Sequence, residues 1–236
     1  MRLDKFLKEN GICTRSESKK ILKSGLVKVN GEVIRNADYK IDEAKDEVIY
    51  ENKKIEYTKY VYIMLNKPAG YLSATEDYHQ NTVLDLVSEY KYKNLFPFGR
   101  LDKDSVGLLI LSNDGELAHE LLSPKKHVEK KYFLRIQGIL KEEDIRAFAN
   151  GITLEDGYVC KSAKLEILSS NEISECYATI SEGKFHQLKR MFKMLGKEVI
   201  YLKRVSFGNV VLDETLKEGE YRFLTQEEIT SLKTRG

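Results

Sequence analysis

The sequence has few cysteines and histidines, and their spacing excludes the usual disulfide and metal frameworks. Cys13, Cys160 and Cys176 are odd in number and form no CxxC pair, which favours a reducing compartment and small buried thiols. The four histidines show no metal-ligand spacing. No stretch approaches the roughly 18 apolar residues of a membrane span, and the first residues lack the apolar core of a signal peptide. We therefore expect a cytoplasmic protein without a metal.

Several well-known cofactor and nucleotide motifs are missing as well. The sequence contains no GxGxxG, Walker loop or HExxH, which argues against dinucleotide-binding enzymes, P-loop NTPases and zinc proteases. Its 236 residues are enough to bury a substantial core. We therefore predict one main domain with a smaller one attached.

Positive charge is concentrated at one end of the chain. The formal net charge is only +2, but residues 1–28 contain eight Lys and Arg against three Asp and Glu. The remaining 208 residues contain 31 bases against 34 acids. A basic field at the N-terminus favours the approach of a polyanion to that end.

The N-terminal residues predict two short helices followed by a hairpin. Apolar residues at helical spacing before Asn10-Gly11 indicate a first helix with a glycine stop. Thr14-Arg-Ser-Glu17 matches a capping box, so a second helix begins there and ends near Ser24-Gly25. Asn30-Gly31 between two apolar pairs predicts a tight hairpin with a type I′ turn.

The second helix places a stripe of basic side chains on one face. Arg15, Lys19 and Lys23 recur every four residues, and such a stripe alone is more often a solvated helix face than a binding site. The order of helices and hairpin over residues 2–34, however, resembles the S4 RNA-binding domain. That resemblance implies contacts with the RNA backbone by Arg15, Lys19, Lys20, Lys23 and Lys28.

The rest of the chain predicts an α+β fold. Residues 47–50 and 54–57 indicate a small closing hairpin, so we place an RNA-binding domain at 1–58 and a catalytic domain at 59–236. Strands outnumber helices and do not alternate with them, which favours a mainly antiparallel or mixed β-sheet flanked by helices. The predicted strands are 60–65, 106–112, 130–137, 162–168, 175–181, 198–202 and 209–212. The predicted helices are 83–89, 115–122, 141–149, 184–195 and 226–233.

One polar loop stands directly before an apolar strand and contains two carboxylates. Asp102 and Asp104 follow Arg100 in this loop, and loops fixed by a rigid strand often hold catalytic groups. Loop chemistry alone favours a turn or capping role for Asp102. The two acids also allow a glycosidase-like pair.

Four motifs, in this order along the chain, resemble those of the pseudouridine synthases, and specifically the branch that modifies ribosomal RNA and contains an S4 domain. The resemblance implies an isomerase that converts uridine to pseudouridine without a cofactor, with ribosomal RNA, free or in a partly assembled subunit, as its partner. We further expect a monomer and, from the lack of a long apolar stretch, no membrane association. The motifs are YIMLNKPAG (62–70), GRLDKDSVGLLILSNDG (99–115), SPKKHVEKKY (123–132) and EGKFHQLKRMF (182–192).

The resemblance also assigns roles to single residues. Asp102, in the GRLD motif, corresponds to the catalytic aspartate, and this assigns catalysis to one carboxylate rather than to a pair. Tyr132 corresponds to an active-site tyrosine that stacks on the uracil, although a core tyrosine is the commoner use of such a residue. Lys189 corresponds to the catalytic basic residue that pairs with the aspartate. Many branches have arginine there, and lysine keeps the charge but loses the planar fork. Arg100 and Arg190 are expected to bind RNA.

The sequence allows more than one RNA target and more than one activity. SPKKH (123–127) and HQLKRM (186–191) most resemble the enzyme for the single pseudouridine of bacterial 16S rRNA, the site numbered 516. A 23S rRNA synthase of the same family shares most other features. A non-catalytic rRNA-binding or assembly factor would use the same basic surfaces, and an RNA-binding glycosidic hydrolase would release free uracil.

Overall fold

A computed structural model describes residues 1–123 and 126–234 of the protein, without the side chains of Arg15, Lys91 and Tyr92. Its contacts divide the chain into two units, one formed by Met1–Val61 with Val87–Leu95 and the other by Tyr62–Leu86 with Phe96–Gly236. The domain boundary between residues 58 and 59 stays a prediction, and it does not include the return of Val87–Leu95 to the first unit. No described helix is long and apolar enough to cross a membrane.

The first unit consists of two helices and a small antiparallel sheet. The strand order is β2-β1-β3-β4, and each neighbouring pair is antiparallel. Its core is formed by buried apolar side chains of both helices and of the central strands. The elements are α1 (Leu3–Glu9), α2 (Arg15–Ser24), β1 (Val27–Val29), β2 (Glu32–Val33), β3 (Val48–Tyr50) and β4 (Lys53–Lys54).

Local sequence signals account for the ends of these elements. The capping box at Thr14 and Glu17 is confirmed, and α2 ends at Gly25 with φ +78°. Asn30 and Gly31 have φ values of 49° and 87°, as a type I′ turn requires at both central positions. The predicted closing hairpin is present, but its second strand lies earlier than residues 54–57, because a two-residue turn pairs Tyr50 with Lys53 and the strand ends at Lys54.

The second unit is built on one nine-stranded mixed sheet flanked by helices, which confirms the α+β prediction. Its main order is β13-β5-β7-β11-β8-β10-β9, and the pairing of β11 with β7 is parallel. The elements are β5 (Tyr62–Lys67), β6 (Phe96–Pro97), β7 (Val106–Ser112), α3 (Gly115–Leu122), β8 (Lys130–Gln137), α4 (Glu142–Asn150), β9 (Lys164–Ser169), β10 (Ile173–Ile180), α5 (Gln187–Met194), β11 (Glu198–Phe207), β12 (Val210–Val211), β13 (Tyr221–Phe223) and α6 (Gln226–Lys233). A kinked 3-10 segment (Asp85–Lys93) begins in this unit and continues in the first, which includes Val87–Leu95.

Predicted and observed elements differ where tertiary contacts decide the ends. The predicted helix 184–195 begins only at Gln187, because His186 adopts a left-handed backbone with φ 49°. The predicted strand 198–202 continues to Phe207, since β11 pairs with β8 along its length and with β7 near its end. The segment predicted as a helix at 83–89 is a kinked 3-10 segment instead. Strands β6 and β13 are too short to give a sequence signal.

Two adjacent strands hold the loop that contains Asp102. Every residue of β5 and of β7 is buried, so both strands are fixed by packing on two faces. Gly107 lies where β7 meets β11, with φ +101°, and a Cβ there would lie 2.3 Å from the carbonyl oxygen of Arg204. Only glycine allows this close approach, and it fixes the end of the Asp102 loop against the sheet.

Candidate active site

Asp102 lies in the loop between β6 and β7 and faces an open pocket of the second unit. Its side chain is 25% exposed, so the carboxylate reaches the pocket without being free in solvent. The pocket is also lined by residues of β8, β10, β11 and the start of α5. The lining residues are Arg100, Leu101, Asp102, Ser105, Tyr132, Ile180, Gly183, Lys184, His186, Gln187, Leu188, Lys189 and Leu202.

A buried lysine forms hydrogen bonds with the backbone of this loop. Lys67, at the end of β5, is fully buried, and its Nζ donates to the carbonyl oxygens of Asp102 (3.1 Å), Lys103 (3.3 Å) and Ser105 (2.8 Å). It also donates to the carbonyl oxygen of Pro68 at 3.0 Å. Burial lowers the pKa of Lys67 to about 8, although the charges of Asp104 and Asp102 act in the opposite direction. One side chain thus fixes the carbonyl groups of Asp102 and of two neighbouring residues in its loop.

Hydrogen bonds from a second loop fix the residues on either side of Asp102. Ser73 Oγ donates to the Leu101 carbonyl at 2.9 Å and accepts from the Leu101 amide at 3.0 Å. Gly70 N donates to the Lys103 carbonyl at 2.7 Å. Because both neighbours of Asp102 are held by their backbone atoms, its side chain starts from a fixed position.

Lys189 brings a cation to the carboxylate but is shared with the neighbouring acid. Its Nζ lies 3.3 Å from Asp102 Oδ2 and 2.6 Å from Asp104 Oδ1. Burial raises the pKa of Asp104, but the hydrogen bond and charge of Lys189, together with a backbone hydrogen bond and the charge of His186, hold its pKa below the ordinary value. The pair of acids is therefore bridged by one ammonium group, and Asp104, which is 73% exposed, has the shorter contact.

Tyr132 and Arg100 complete the group that the sequence predicted for this site. Tyr132 lies on β8, is 7% exposed and lines the same pocket as Asp102. Arg100 is exposed at the edge of the pocket. A carboxylate, a cation and an aromatic ring thus surround one space, which suits a reaction at a sugar with a flat base attached.

The structure places the other predicted RNA-binding residues elsewhere. Arg190 follows Lys189 on α5 but contacts Glu155 (3.1 Å) and Asp156 (2.6 Å), so RNA binding by Arg190 stays a prediction that would require release of these acids. Four lysines of the first unit were predicted to bind RNA, and all four are exposed: Lys19, Lys20, Lys23 and Lys28. None of them forms an ion pair with a described side chain. The side chain of Arg15 lies outside the described residues.

Sequence reasoning missed two features of the site. A lysine after an apolar run is normally a sign that the strand has reached solvent, so the buried position of Lys67 had no signal beyond its place in a motif. The second feature is His186, to which the sequence analysis assigned no role: its Nε2 lies 3.7 Å from Asp102 Oδ1, and its ring stacks on Phe185 with centroids 3.8 Å apart.

An RNA-binding unit and a carboxylate pocket define the class of protein. Residues 1–48 match the S4 domain, which is an RNA-binding module, and the second unit holds Asp102 in an open pocket. Together they define an RNA-modifying enzyme.

The family is shown by sequence and by structure. Residues 61–194 match the family described as RNA pseudouridylate synthase, and the chain belongs to this family. It is 46% identical to an uncharacterized RNA pseudouridine synthase of Bacillus subtilis over 97% of both chains. It is 41% identical to the ribosomal small subunit pseudouridine synthase A of Haemophilus influenzae over 98% of this chain and 99% of the relative.

A solved pseudouridylate synthase gives the same result at the level of structure. Its sequence is 40% identical to this chain, and the match covers 98% of this chain and 99% of the solved one, with a TM-score of 0.69. The prediction of an RNA pseudouridine synthase with an S4 domain is therefore confirmed.

Proposed function

We propose that the protein isomerises one uridine of small-subunit ribosomal RNA, at the 16S rRNA site numbered 516, with Asp102 as the catalytic carboxylate. The observation that carries the proposal is the arrangement of Asp102, Lys189 and Tyr132 around one pocket. The names of relatives that span nearly the whole chain support the RNA target, since those from Haemophilus influenzae and Escherichia coli are called ribosomal small subunit pseudouridine synthase A.

The reaction requires one negatively charged oxygen beside the sugar. The bond from C1′ of the ribose to N1 of uracil breaks, the base turns, and a new bond joins C1′ to C5. The C5 hydrogen is released as a proton, and N1 takes up a proton, so that the product is an isomer of uridine. Attack on C1′ and removal of a ribose proton both need an ionised carboxylate there. Asp102 supplies a carboxylate at this place, and the Lys189 ammonium group lies 3.3 Å from its Oδ2 as a cationic partner.

The target base has to leave its stack before it reaches Asp102. Extrusion of a base costs a few kcal/mol, and contacts with the phosphate backbone offset this cost. Tyr132 presents a ring on which the extruded uracil stacks, and Arg100 at the edge of the pocket is placed to bind a phosphate or to fill the gap in the helix.

Loss of the protein from cells tests the proposed target. We expect pseudouridine mapping of total rRNA to show one missing pseudouridine, at the proposed 16S site, in cells that lack the gene. A site missing from 23S rRNA would support the alternative synthase. Unchanged rRNA would support a non-catalytic binding or assembly factor, and release of free uracil from an rRNA fragment by the pure protein would indicate a hydrolase.

The exposed lysines of α2 give a second test, directed at the first unit. We expect a Lys19→Gln, Lys23→Gln variant to bind rRNA fragments more weakly, with the slope of log K against log salt shallower by about 1.5, because each lost phosphate contact removes about 0.7 to 0.9. Titration by anisotropy at several salt concentrations measures this slope.

A matched variant removes two lysines of the same unit that already contact acids. Lys45 and Lys54 lie 3.6 Å from Asp42 and 3.0 Å from Glu47, and we expect their replacement by glutamine to leave the slope unchanged. Equal slopes in both variants would mean that α2 does not contact the RNA backbone.

A further inference from the structure

Phe185 is an apolar ring that the fold leaves uncovered beside the catalytic pocket. Its side chain is 76% exposed, although it belongs to a structured segment between β10 and α5. One face of the ring is stacked on His186, with a centroid distance of 3.8 Å and an angle of 17° between the planes. The exposure of the rest leaves a flat aromatic surface open to solvent.

The position of this ring is built into the turn that precedes α5. The buried side chain of Gln187 accepts from the Lys184 amide at 2.9 Å and donates to Glu182 at 2.6 Å, and the Gln187 amide donates to the Lys184 carbonyl at 3.1 Å. His186 has the left-handed φ of 49°, which is uncommon for a non-glycine residue and requires support from its surroundings. The hydrogen bonds of this turn therefore hold Phe185 in its exposed position.

The stacked pair connects directly to the catalytic carboxylate. His186 Nε2 lies 3.7 Å from Asp102 Oδ1, so the Phe185 ring is separated from Asp102 by a single imidazole. Gly183, Lys184 and His186, which flank Phe185 in the chain, all line the pocket. A strand of RNA that places a uridine at Asp102 has to pass this edge with its neighbouring nucleotides.

We propose that the open face of Phe185 is a stacking site for the nucleobase adjacent to the target uridine in the RNA strand. The inference rests on the proposed function, because it requires RNA at this pocket. Aromatic side chains bind unpaired bases through their faces, with little dependence on which base is present. The exposed Lys184 next to the ring adds positive charge for the connecting phosphate. Stacking there would hold the strand in place while the uridine is extruded.

The absence of tryptophan from the sequence makes this inference directly measurable. Phe185→Trp gives a protein with a single tryptophan, and we expect its fluorescence to be quenched when a 16S rRNA fragment binds. The fragment is also made with an abasic nucleotide on the 5′ or the 3′ side of the target, and one of these two RNAs should bind without quenching. Phe223→Trp, on the edge strand β13 and 49% exposed, is the control that should not respond.

A second variant measures the contribution of stacking to turnover. Phe185→Leu keeps an apolar side chain but removes the aromatic face, and we expect KM for the intact fragment to rise about tenfold with kcat nearly unchanged. On the abasic RNA that abolishes quenching, the leucine variant and the wild type should have the same KM. An equal rise in KM on all three RNAs, or no rise at all, would overturn the stacking site.

Binding and catalysis are recorded separately in the same samples. Anisotropy of labelled RNA reports binding, and release of the C5 hydrogen reports isomerisation. Intact RNA that binds without quenching the Phe185→Trp protein contradicts the inference whether or not it is modified. RNA that quenches but is never isomerised by the wild type contradicts the proposed function and leaves the stacking site supported. Failure of the RNA to bind contradicts both.

Discussion

Replacement of Asp102 by asparagine is expected to lower the rate of pseudouridine formation by at least about 10⁴-fold. The amide has the same shape as the carboxylate but no negative charge, so it neither attacks C1′ nor removes a proton from the ribose. RNA affinity should change little, because the contacts with phosphates come from other residues. Release of tritium from RNA labelled at C5 of uracil measures the rate, and anisotropy measures the affinity.

Asp104→Asn is the matched control, since it makes the same chemical change two residues away in the same loop. Asp104 contacts Lys189 at 2.6 Å, so its replacement leaves Lys189 with Asp102 as its remaining acidic partner. We expect this variant to keep activity within about tenfold of the wild type. Full activity in Asp102→Asn together with inactivity in Asp104→Asn would reverse the two roles, and activity in both would discard the carboxylate mechanism.

Replacement of Lys67 by methionine is expected to lower kcat by about 100-fold without contact between Lys67 and the RNA. The variant removes the donor to the carbonyl groups of Asp102, Lys103 and Ser105, so the loop loses the support that fixes the Asp102 carboxylate. Buried carbonyl oxygens without a donor also destabilise the fold, by about 1 to 3 kcal/mol each where no water replaces the lysine. The melting temperature should therefore fall together with kcat.

Replacement of a second buried lysine, Lys93, distinguishes a loss of stability from a loss of loop position. Lys93 is 7% exposed, its pKa is lowered by burial, and its Nζ donates to the Thr58 carbonyl at 3.0 Å. Lys93→Met should lower the melting temperature but leave kcat at saturating RNA unchanged, because Lys93 and Thr58 both belong to the first unit. If Lys67→Met loses no more kcat than Lys93→Met, the loop does not depend on Lys67 for its position.

Because Lys189 contacts two acids, it is already held at the pocket before RNA binds. One ammonium group contacts both acids, at 3.3 Å from Asp102 and 2.6 Å from Asp104. The exposed Asp104 keeps this cation at the pocket before RNA arrives. The loop and α5 are therefore connected by a charge contact in the free enzyme, which reduces the reorganisation needed when the substrate binds.

The motifs predicted which residues meet at the site better than they predicted how those residues are held. Asp102, Tyr132, Lys189 and Arg100 line one pocket, as the resemblance implied. Their exact chemical roles remain predictions for the experiments above. Lys189 and Arg190 are neighbours in the chain, but successive residues of a helix point in different directions. Lys189 therefore contacts the Asp102 carboxylate, whereas Arg190 contacts Glu155 and Asp156.

The exposed ring of Phe185 had no counterpart in the sequence reasoning. A phenylalanine beside a histidine in an amphipathic segment normally predicts burial, and the left-handed backbone of His186 that starts the helix late is not encoded by residue type. Whether an aromatic side chain faces the core or solvent depends on the packing of the turn as a whole. Only coordinates distinguish the two cases.

The sequence by itself determined the local elements: the capped helix after Thr14, the hairpin at Asn30-Gly31, and the buried strands on either side of the Asp102 loop. These follow from hydrogen bonds and apolar periodicity within a few residues, so a short stretch of chain is sufficient to specify them. The tertiary structure alone decided that Lys67 fixes a loop 35 to 38 positions further along the chain and that Lys189 reaches an acid 85 positions away. Such contacts depend on how strands and helices are arranged in space, because residues this far apart in sequence meet only when the whole sheet has formed.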